Sequence, residues 1–163
     1  MNVYRWWQQW FAKRKGKMAT ILLDFDGTCV AHEYPYVGDD IGAQQVLHDL
    51  VNNGHQLILF TMRSEINYLD DAVAWFQEQG ISLYGVQSHP EQTSWTASPK
   101  AYGELIIDDT MLGAKLVDGR YLNWQWAAEM LCERGLITPA QLAAVESTHQ
   151  RNTYVKRHYS SHF

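Results

Sequence analysis

Six polar or chargeable side chains stand at or near the ends of apolar runs in this sequence: Asp24, Asp26, Thr61, Lys100, Asp108 and Asp109. Four carboxylates brought together repel one another strongly unless a cation or a proton intervenes. Because the set contains no His or Cys, its hard oxygen ligands favour Mg²⁺ over zinc. The six residues therefore predict a magnesium site, provided that the fold brings these runs together.

The surrounding sequence predicts strands that alternate with helices. We expect strands over 19–23, 56–60, 81–86 and 104–107, helices over 41–53 and 65–79, and a loop over 87–99. Continuous apolar runs are typical of buried parallel strands, and the alternation indicates an α/β fold with a mostly parallel sheet. Ligands bind such sheets in the crevice at the carboxyl ends of the strands, where the six side chains would meet.

In order and position, these residues resemble the four motifs of the haloacid dehalogenase-like (HAD) phosphohydrolase superfamily. The motifs are Asp24-Phe25-Asp26-Gly27-Thr28, Thr61 after Ile58-Leu59-Phe60, Lys100, and Ile106-Ile107-Asp108-Asp109. The resemblance covers roughly residues 18–116 and is greatest to a small capless branch found in bacteria and phages. It implies a Rossmann-like three-layer sandwich and phosphoryl transfer through an aspartyl-phosphate.

The resemblance also implies a metal and an acid–base pathway. Asp24 would attack phosphorus as the nucleophile, and Mg²⁺ would neutralise charge between it and the phosphate. The metal would be held by Asp24, the backbone carbonyl of Asp26 and the carboxylate of Asp108, with Asp109 binding through water or orienting the other ligands. Asp26 would protonate the leaving alkoxide and then deprotonate the attacking water.

A phosphate-binding set follows from the same resemblance: Gly27, Thr28, Thr61, Met62, Arg63 and Lys100. Gly27 would permit the tight turn after the first strand. Thr61 and nearby backbone N–H groups would bind phosphate oxygens, and Lys100 would offset charge on the phosphoryl group and on Asp24. Arg63 has three open interpretations, because it could hold substrate, cap Asp109 or lie on the surface.

Two alternatives to a phosphohydrolase concern other classes of protein. Response-regulator receiver domains also use Asp, Thr, Lys and an acidic pair, but their pair follows the first strand, whereas Asp108 and Asp109 come last here. The order of the motifs therefore argues against a receiver. A catalytically weak binding or interaction protein stays open, because the extra sequence at both ends is suited to a partner.

The spacing of the motifs leaves no room for a cap domain. One helix, one strand and loops fill each of the segments 24–61 and 61–100. We therefore expect loops or a neighbouring subunit of a homo-oligomer to cover the site. The resemblance leads us to expect a phosphorylated substrate, either a small nucleotide or sugar phosphate or a polynucleotide 3′-phosphate end.

Composition limits the class of protein. The chain has 163 residues, 46% hydrophobic and 19% charged, which suits one globular domain. No apolar run is long enough for stable membrane insertion, no secretory signal opens the chain, and two cysteines form no disulfide scaffold, so we expect a cytoplasmic protein. The net charge is −5, yet eight of the 13 basic residues lie near the two ends of the sequence, within residues 1–17 and 147–163. This uneven distribution slightly favours a polynucleotide as the substrate.

We expect four regions along the chain. Residues 1–17 form an amphipathic helix of aromatic and basic residues, and 18–120 form the catalytic core. Residues 121–147 form a helical extension, with a helix over 121–134 and a second that begins with a capping box at Thr138. Residues 148–163 form a loose basic tail.

Overall fold

A computed structural model describes residues 17–148 of the chain. Residues 17–124 form one compact unit, and the described residues from 125 onward belong to a second. The helix expected over 1–17 and the tail expected over 148–163 fall outside the described residues, apart from one boundary position each. The structure extends the core to Trp124, four residues past the boundary predicted at residue 120.

The first unit is built on a parallel sheet of four strands: β1 (Thr20–Leu23), β2 (Gln56–Leu59), β3 (Gly85–Val86) and β4 (Leu105–Ile107). Helix α1 (Ala43–Asn52) connects β1 to β2, and helix α2 (Ile66–Glu78) connects β2 to β3. The connection from β3 to β4 contains a short 3₁₀ helix, Gln92–Ser94. The predicted α/β architecture, a Rossmann-like sheet flanked by helices, is confirmed, and no inserted cap domain interrupts residues 17–148.

The order of the strands decides where a ligand can bind. The sheet runs β3-β2-β1-β4, so the chain steps outward from β1 to β3 and then crosses back to place β4 on the other side of β1. The carboxyl ends of β1 and β4 therefore flank the point where the direction of winding reverses, which is the usual ligand crevice in open parallel sheets. The Asp24 N–H donates to the Ile107 carbonyl at 3.0 Å and fixes the register there.

The core explains why these runs form strands. Ile21, Leu23, Leu57 and Leu59 have no exposed surface, as expected for parallel strands covered by helices. Phe25, just after β1, packs edge-on against Trp75 of α2, with ring centroids 5.7 Å apart. This contact holds the turn that follows β1 against α2.

Two predicted elements differ from those observed. The strand expected over 81–86 contains only Gly85–Val86, and the helix expected from Tyr121 begins at Trp124. Tyr121–Leu122 is instead strand β6, which pairs with β5 (Leu116–Val117) in an antiparallel hairpin. Asp118 and Gly119 turn this hairpin at φ values of 52° and 68°. Asp-Gly is a characteristic hairpin turn, so the signal was present in the sequence.

The described part of the second unit is helical. Helix α3 spans Trp124–Glu133 and is followed by Gly135 at a φ of 72°. Residues 139–148 form helix α4. The predicted capping box is confirmed, because the Gln141 N–H donates to Thr138 Oγ1 at 3.2 Å and the Thr138 N–H donates to Gln141 Oε1 at 2.7 Å. Among residues 17–148, no helix combines the length and apolar character that crossing a membrane requires.

Candidate metal centre

Three carboxylates meet at the carboxyl ends of β1 and β4. One side-chain oxygen from each of Asp24, Asp108 and Asp109 lies within 4.8 Å of the other two. All three side chains are partly buried. The Asp26 carboxylate is not a member of this group. The predicted metal ligands Asp24, Asp108 and Asp109 are therefore brought together, and Asp26 can join them only through its main chain.

The Thr28 hydroxyl connects two of these carboxylates. Its Oγ1 donates to Asp24 Oδ2 at 2.8 Å, lies 3.3 Å from Asp109 Oδ1, and accepts the Asp109 N–H at 3.0 Å. The Thr28 carbonyl in turn accepts the indole N–H of Trp124 at 2.7 Å. Thr28 is fully buried and orients the carboxylates, and its assignment to the phosphate-binding set stays a prediction.

Gly27 allows Asp109 to approach the turn after β1. It adopts a φ of 81°, and a Cβ atom at this position would lie 2.6 Å from Asp109 Oδ2. Any side chain here would push that carboxylate away or distort the turn. The glycine predicted for the turn therefore also makes space for a candidate metal ligand.

Two carboxyls of the group, Asp24 and Asp109, have raised pKa values. Burial raises the pKa of Asp24 from 3.8 to about 6, and repulsion from Asp108 and Asp109 adds to the rise against hydrogen bonds from Thr28 and Phe25. Burial, followed by repulsion from Asp108, also raises the pKa of Asp109. A cation would relieve both shifts, and an all-carboxylate donor set fits a hard divalent ion such as Mg²⁺.

Thr110 fixes the third carboxylate and was not predicted. Asp108 Oδ1 accepts the Thr110 N–H at 2.7 Å and its hydroxyl at 2.6 Å. The signal was the Asp-x-Thr spacing, because an aspartate commonly bonds the backbone two residues ahead in an Asx turn.

Arg63 pairs with Asp26 instead of facing a substrate. Its Nε lies 2.7 Å from Asp26 Oδ2 and its Nη2 lies 2.6 Å from Oδ1. Arg63 is only 1% exposed and pairs with Asp26, so it neither lies on the surface nor caps Asp109. Its guanidinium is occupied by Asp26, so its assignment to the phosphate-binding set stays a prediction that requires this pair to rearrange.

The remaining phosphate-binding residues lie on two loops. Thr61 is partly buried just after β2, and its Oγ1 accepts the Arg63 N–H at 3.3 Å. The Met62 side chain is 93% exposed and has no hydrogen-bond donor, so the candidate phosphate ligand at this residue is its backbone N–H. Lys100 is exposed, and within residues 17–148 its ammonium makes no ion pair with a carboxylate. The Lys100 side chain is therefore available to bind phosphate, and no ion pair connects it to Asp24, Asp108 or Asp109.

Two glutamines contact these loops and were not predicted. Gln87 bonds to the backbone of Thr61 and Arg63, and Gln92 bonds to the backbone on both sides of Lys100. Only the position of Gln87, just after a predicted strand, offered a signal, because polar residues at strand ends surround ligand crevices. Nothing in the sequence distinguished Gln92 from other residues of its loop.

A solved structure from Bacteroides thetaiotaomicron, described as a conserved protein coded by a locus of that organism, is similar to this one. The two chains share 33% sequence identity with a TM-score of 0.61, and the match covers 72% of this chain and 93% of that one. This chain belongs to the same family as that conserved protein. The relationship supports the α/β fold and names no activity. No protein-family model matches the chain, and no curated protein does so either.

Proposed function

We propose that the protein is a Mg²⁺-dependent phosphomonoester hydrolase of the haloacid dehalogenase type, with Asp24 as its nucleophile. One observation carries the proposal: Asp24, Asp108 and Asp109 present oxygens within 4.8 Å of one another at the reversal point of a parallel sheet. Three partly buried carboxylates this close together repel one another, and a bound divalent cation would offset that repulsion. The order of the motifs, with Thr61 on the loop after β2 and Lys100 on the connection between β3 and β4, supports phosphoryl transfer in particular.

In this proposal Asp24 forms the new bond to phosphorus. Its carboxylate attacks in line, an aspartyl-phosphate forms, and the bond between phosphorus and the alcohol oxygen breaks. The Thr28 hydroxyl, 2.8 Å from Asp24 Oδ2, keeps the carboxylate in one orientation during attack. When bound by Asp24, Asp108 and Asp109, Mg²⁺ supplies the positive charge that lets a carboxylate approach an anionic phosphate.

Proton transfer is assigned to Asp26, as the resemblance implies. Each Asp26 oxygen accepts one hydrogen bond from Arg63 and keeps a second lone pair, which can carry the proton to the leaving oxygen. In the second half-reaction Asp26 takes a proton from the water that attacks the aspartyl-phosphate, and inorganic phosphate leaves.

The charge of the core unit favours a small substrate over a polynucleotide. Residues 17–124 contain five Lys and Arg and fifteen Asp and Glu, a formal charge of −10. Arg63, one of the five basic residues, is enclosed by its own partners. Since polynucleotide affinity depends on many contacts between cations and phosphates, this unit is suited to a substrate with one phosphate. A cytoplasmic location suits such a substrate and is part of the proposal.

The test uses para-nitrophenyl phosphate with the full-length chain. We expect phosphate release that requires Mg²⁺ and is abolished by EDTA or by Asp24→Asn. Asp70→Asn, an exposed position on α2, is the matched control and should retain wild-type activity. Absence of metal-dependent release above the Asp24→Asn background would favour the alternative, a binding protein that retains this fold without turnover.

A second comparison separates the substrate classes. Rates on nucleotide and sugar monophosphates are measured beside rates on a 3′-phosphorylated oligonucleotide, with KCl varied in both. A small substrate predicts a shallow dependence of kcat/KM on salt, because few ions are released on binding. A steep dependence together with a preference for the oligonucleotide would overturn the assignment to small substrates.

A further inference from the structure

The side-chain amide of Gln87 binds the loop after β2. Its Oε1 accepts the Thr61 N–H at 3.1 Å, and its Nε2 donates to the carbonyls of Thr61 at 2.6 Å and Arg63 at 3.1 Å. All three bonds are to main-chain groups of residues 61–63, a stretch that lies outside any helix or strand. The amide therefore supplies contacts that a neighbouring strand would otherwise provide.

Gln92 makes the same kind of contact with the loop that carries Lys100. Its Nε2 donates to the carbonyls of Ser98 and Lys100, both at 2.8 Å, and its Oε1 accepts the Tyr102 N–H at 2.7 Å. Gln92 is only 7% exposed. A buried amide with one acceptor and two donors satisfied is a strong constraint on the backbone that it touches.

We propose that Gln87 and Gln92 are positioning residues for the phosphate: each amide fixes the main chain of one loop, so that Thr61 and Met62 on one loop and Lys100 on the other are held ready for it. This inference rests on the proposed function. Neither glutamine touches the phosphate in this arrangement. Each acts through the loop that it holds.

The bonds around Thr61 leave the expected donors available. The Thr61 Oγ1 accepts the Arg63 N–H at 3.3 Å, so its own hydrogen stays available to donate. The Met62 N–H makes no hydrogen bond to other residues in the described range 17–148. Gln87 thus uses the carbonyls of Thr61 and Arg63 and the Thr61 N–H, and leaves two donors for an anion.

The backbone of Gln87 supports a positioning role independently. It adopts a φ of 60°, a left-handed conformation that a residue with a side chain rarely takes. Its N–H donates to the Leu59 carbonyl, the last residue of β2, at 2.7 Å. This conformation turns the chain away from β3 at Gln87, and the Gln87 side chain contacts residues 61–63 at the same point. Strain of this kind is concentrated at functional sites.

Methionine is the test substitution, because it has nearly the length of glutamine and no hydrogen-bonding amide. Gln87→Met and Gln92→Met are compared with Gln77→Met, an exposed position on α2. The readouts are the Kd of inorganic phosphate with Mg²⁺ present, measured by calorimetry, and amide hydrogen exchange. Neither readout depends on turnover.

We expect Gln87→Met and Gln92→Met each to weaken phosphate binding about tenfold, as is usual when a supporting partner of a ligand-binding group is lost. Amide hydrogen exchange should become faster at residues 60–64 in Gln87→Met and at residues 98–102 in Gln92→Met. Gln77→Met should show neither change. If Gln92→Met does not fold, Gln92→Leu removes the same amide with a shorter apolar side chain and no buried charge.

The inference would be overturned if the two glutamine variants fold, show faster amide hydrogen exchange in their loops, and still bind phosphate within about twofold of the wild-type affinity. Unchanged exchange in both loops would overturn it as well. Failure of the proposed function has a different signature, because the wild-type chain itself would then show no metal-dependent release from para-nitrophenyl phosphate.

Discussion

Arg63 holds both side-chain oxygens of Asp26 in a bidentate ion pair, with Nε 2.7 Å from Oδ2 and Nη2 2.6 Å from Oδ1. The remaining guanidinium hydrogens point to three carbonyls, those of Pro35, Tyr36 and Tyr68. The guanidinium carbon also lies 5.1 Å from the centre of the Phe25 ring. Arg63 therefore joins the turn after β1, the loop that follows it and the first turn of α2.

Removing this arginine should destabilise the fold. Arg63→Met leaves the Asp26 carboxylate, 11% exposed, without its partner, and loss of one member of a buried pair costs about 3–5 kcal/mol. Urea unfolding followed by circular dichroism measures the change. The double variant Arg63→Met, Asp26→Leu removes both charges and should recover part of the loss. A loss below about 1 kcal/mol in Arg63→Met would mean that the pair behaves like an exposed salt bridge.

Gly27 should be essential to metal binding for a steric reason. In Gly27→Ala the new Cβ meets Asp109 Oδ2 at 2.6 Å, so either the carboxylate shifts from its place in the group or the turn distorts. We expect Mg²⁺ affinity, measured by calorimetry, to fall about tenfold or more.

Gly54→Ala is the matched control for Gly27→Ala. Gly54 has a similar φ of 86°, and a Cβ there would meet nothing within 4 Å. Gly54→Ala should lose only about 1–2 kcal/mol of unfolding free energy, because alanine disfavours this left-handed backbone, and it should keep its metal affinity. Equal loss of Mg²⁺ affinity in both variants would show that backbone strain, and not contact with Asp109, is responsible.

The sequence predicted the acidic group better than its surroundings. Asp24 and Asp108 end neighbouring parallel strands, and apolar runs followed by acids indicate that arrangement directly. The partners of Arg63 could not be predicted, because the carbonyls that it binds lie in an irregular loop and at the start of α2. The contacts of Gln92 also lie entirely within a loop, where no periodic pattern records which backbone groups meet a side chain.

Thr28 should matter for its hydroxyl and not for its shape. Thr28→Val keeps the volume at a fully buried position and removes the bonds to Asp24 Oδ2 and the Asp109 N–H. We expect Mg²⁺ affinity and turnover of para-nitrophenyl phosphate to fall about 10–100-fold, as for other groups that orient metal ligands. Thr28→Ser keeps the hydroxyl and should stay close to the wild type. Equal losses in the Val and Ser variants would contradict a role for the hydrogen bonds.

The stability of the metal-free protein should depend on pH through Asp24. Burial raises the pKa of this carboxyl from 3.8 to about 6 in the folded state, so the folded protein binds its proton more tightly than the unfolded chain does. Below about pH 4 both states are protonated and the group contributes nothing to stability. As the pH rises from about 4 to about 6 the folded state loses roughly 3 kcal/mol, and the loss is constant above that window.

Asp24→Asn isolates this contribution, because an amide does not titrate. With EDTA present, the unfolding free energy of the wild type should fall below that of Asp24→Asn as the pH rises through this window. The exposed Asp70→Asn control should track the wild type throughout. At pH 7, Mg²⁺ should restore stability to the wild type far more than to Asp24→Asn, because a cation that binds the folded state offsets the cost of the buried charge. A constant difference between wild type and Asp24→Asn from pH 4 to pH 7 would show that the Asp24 pKa is not raised by folding.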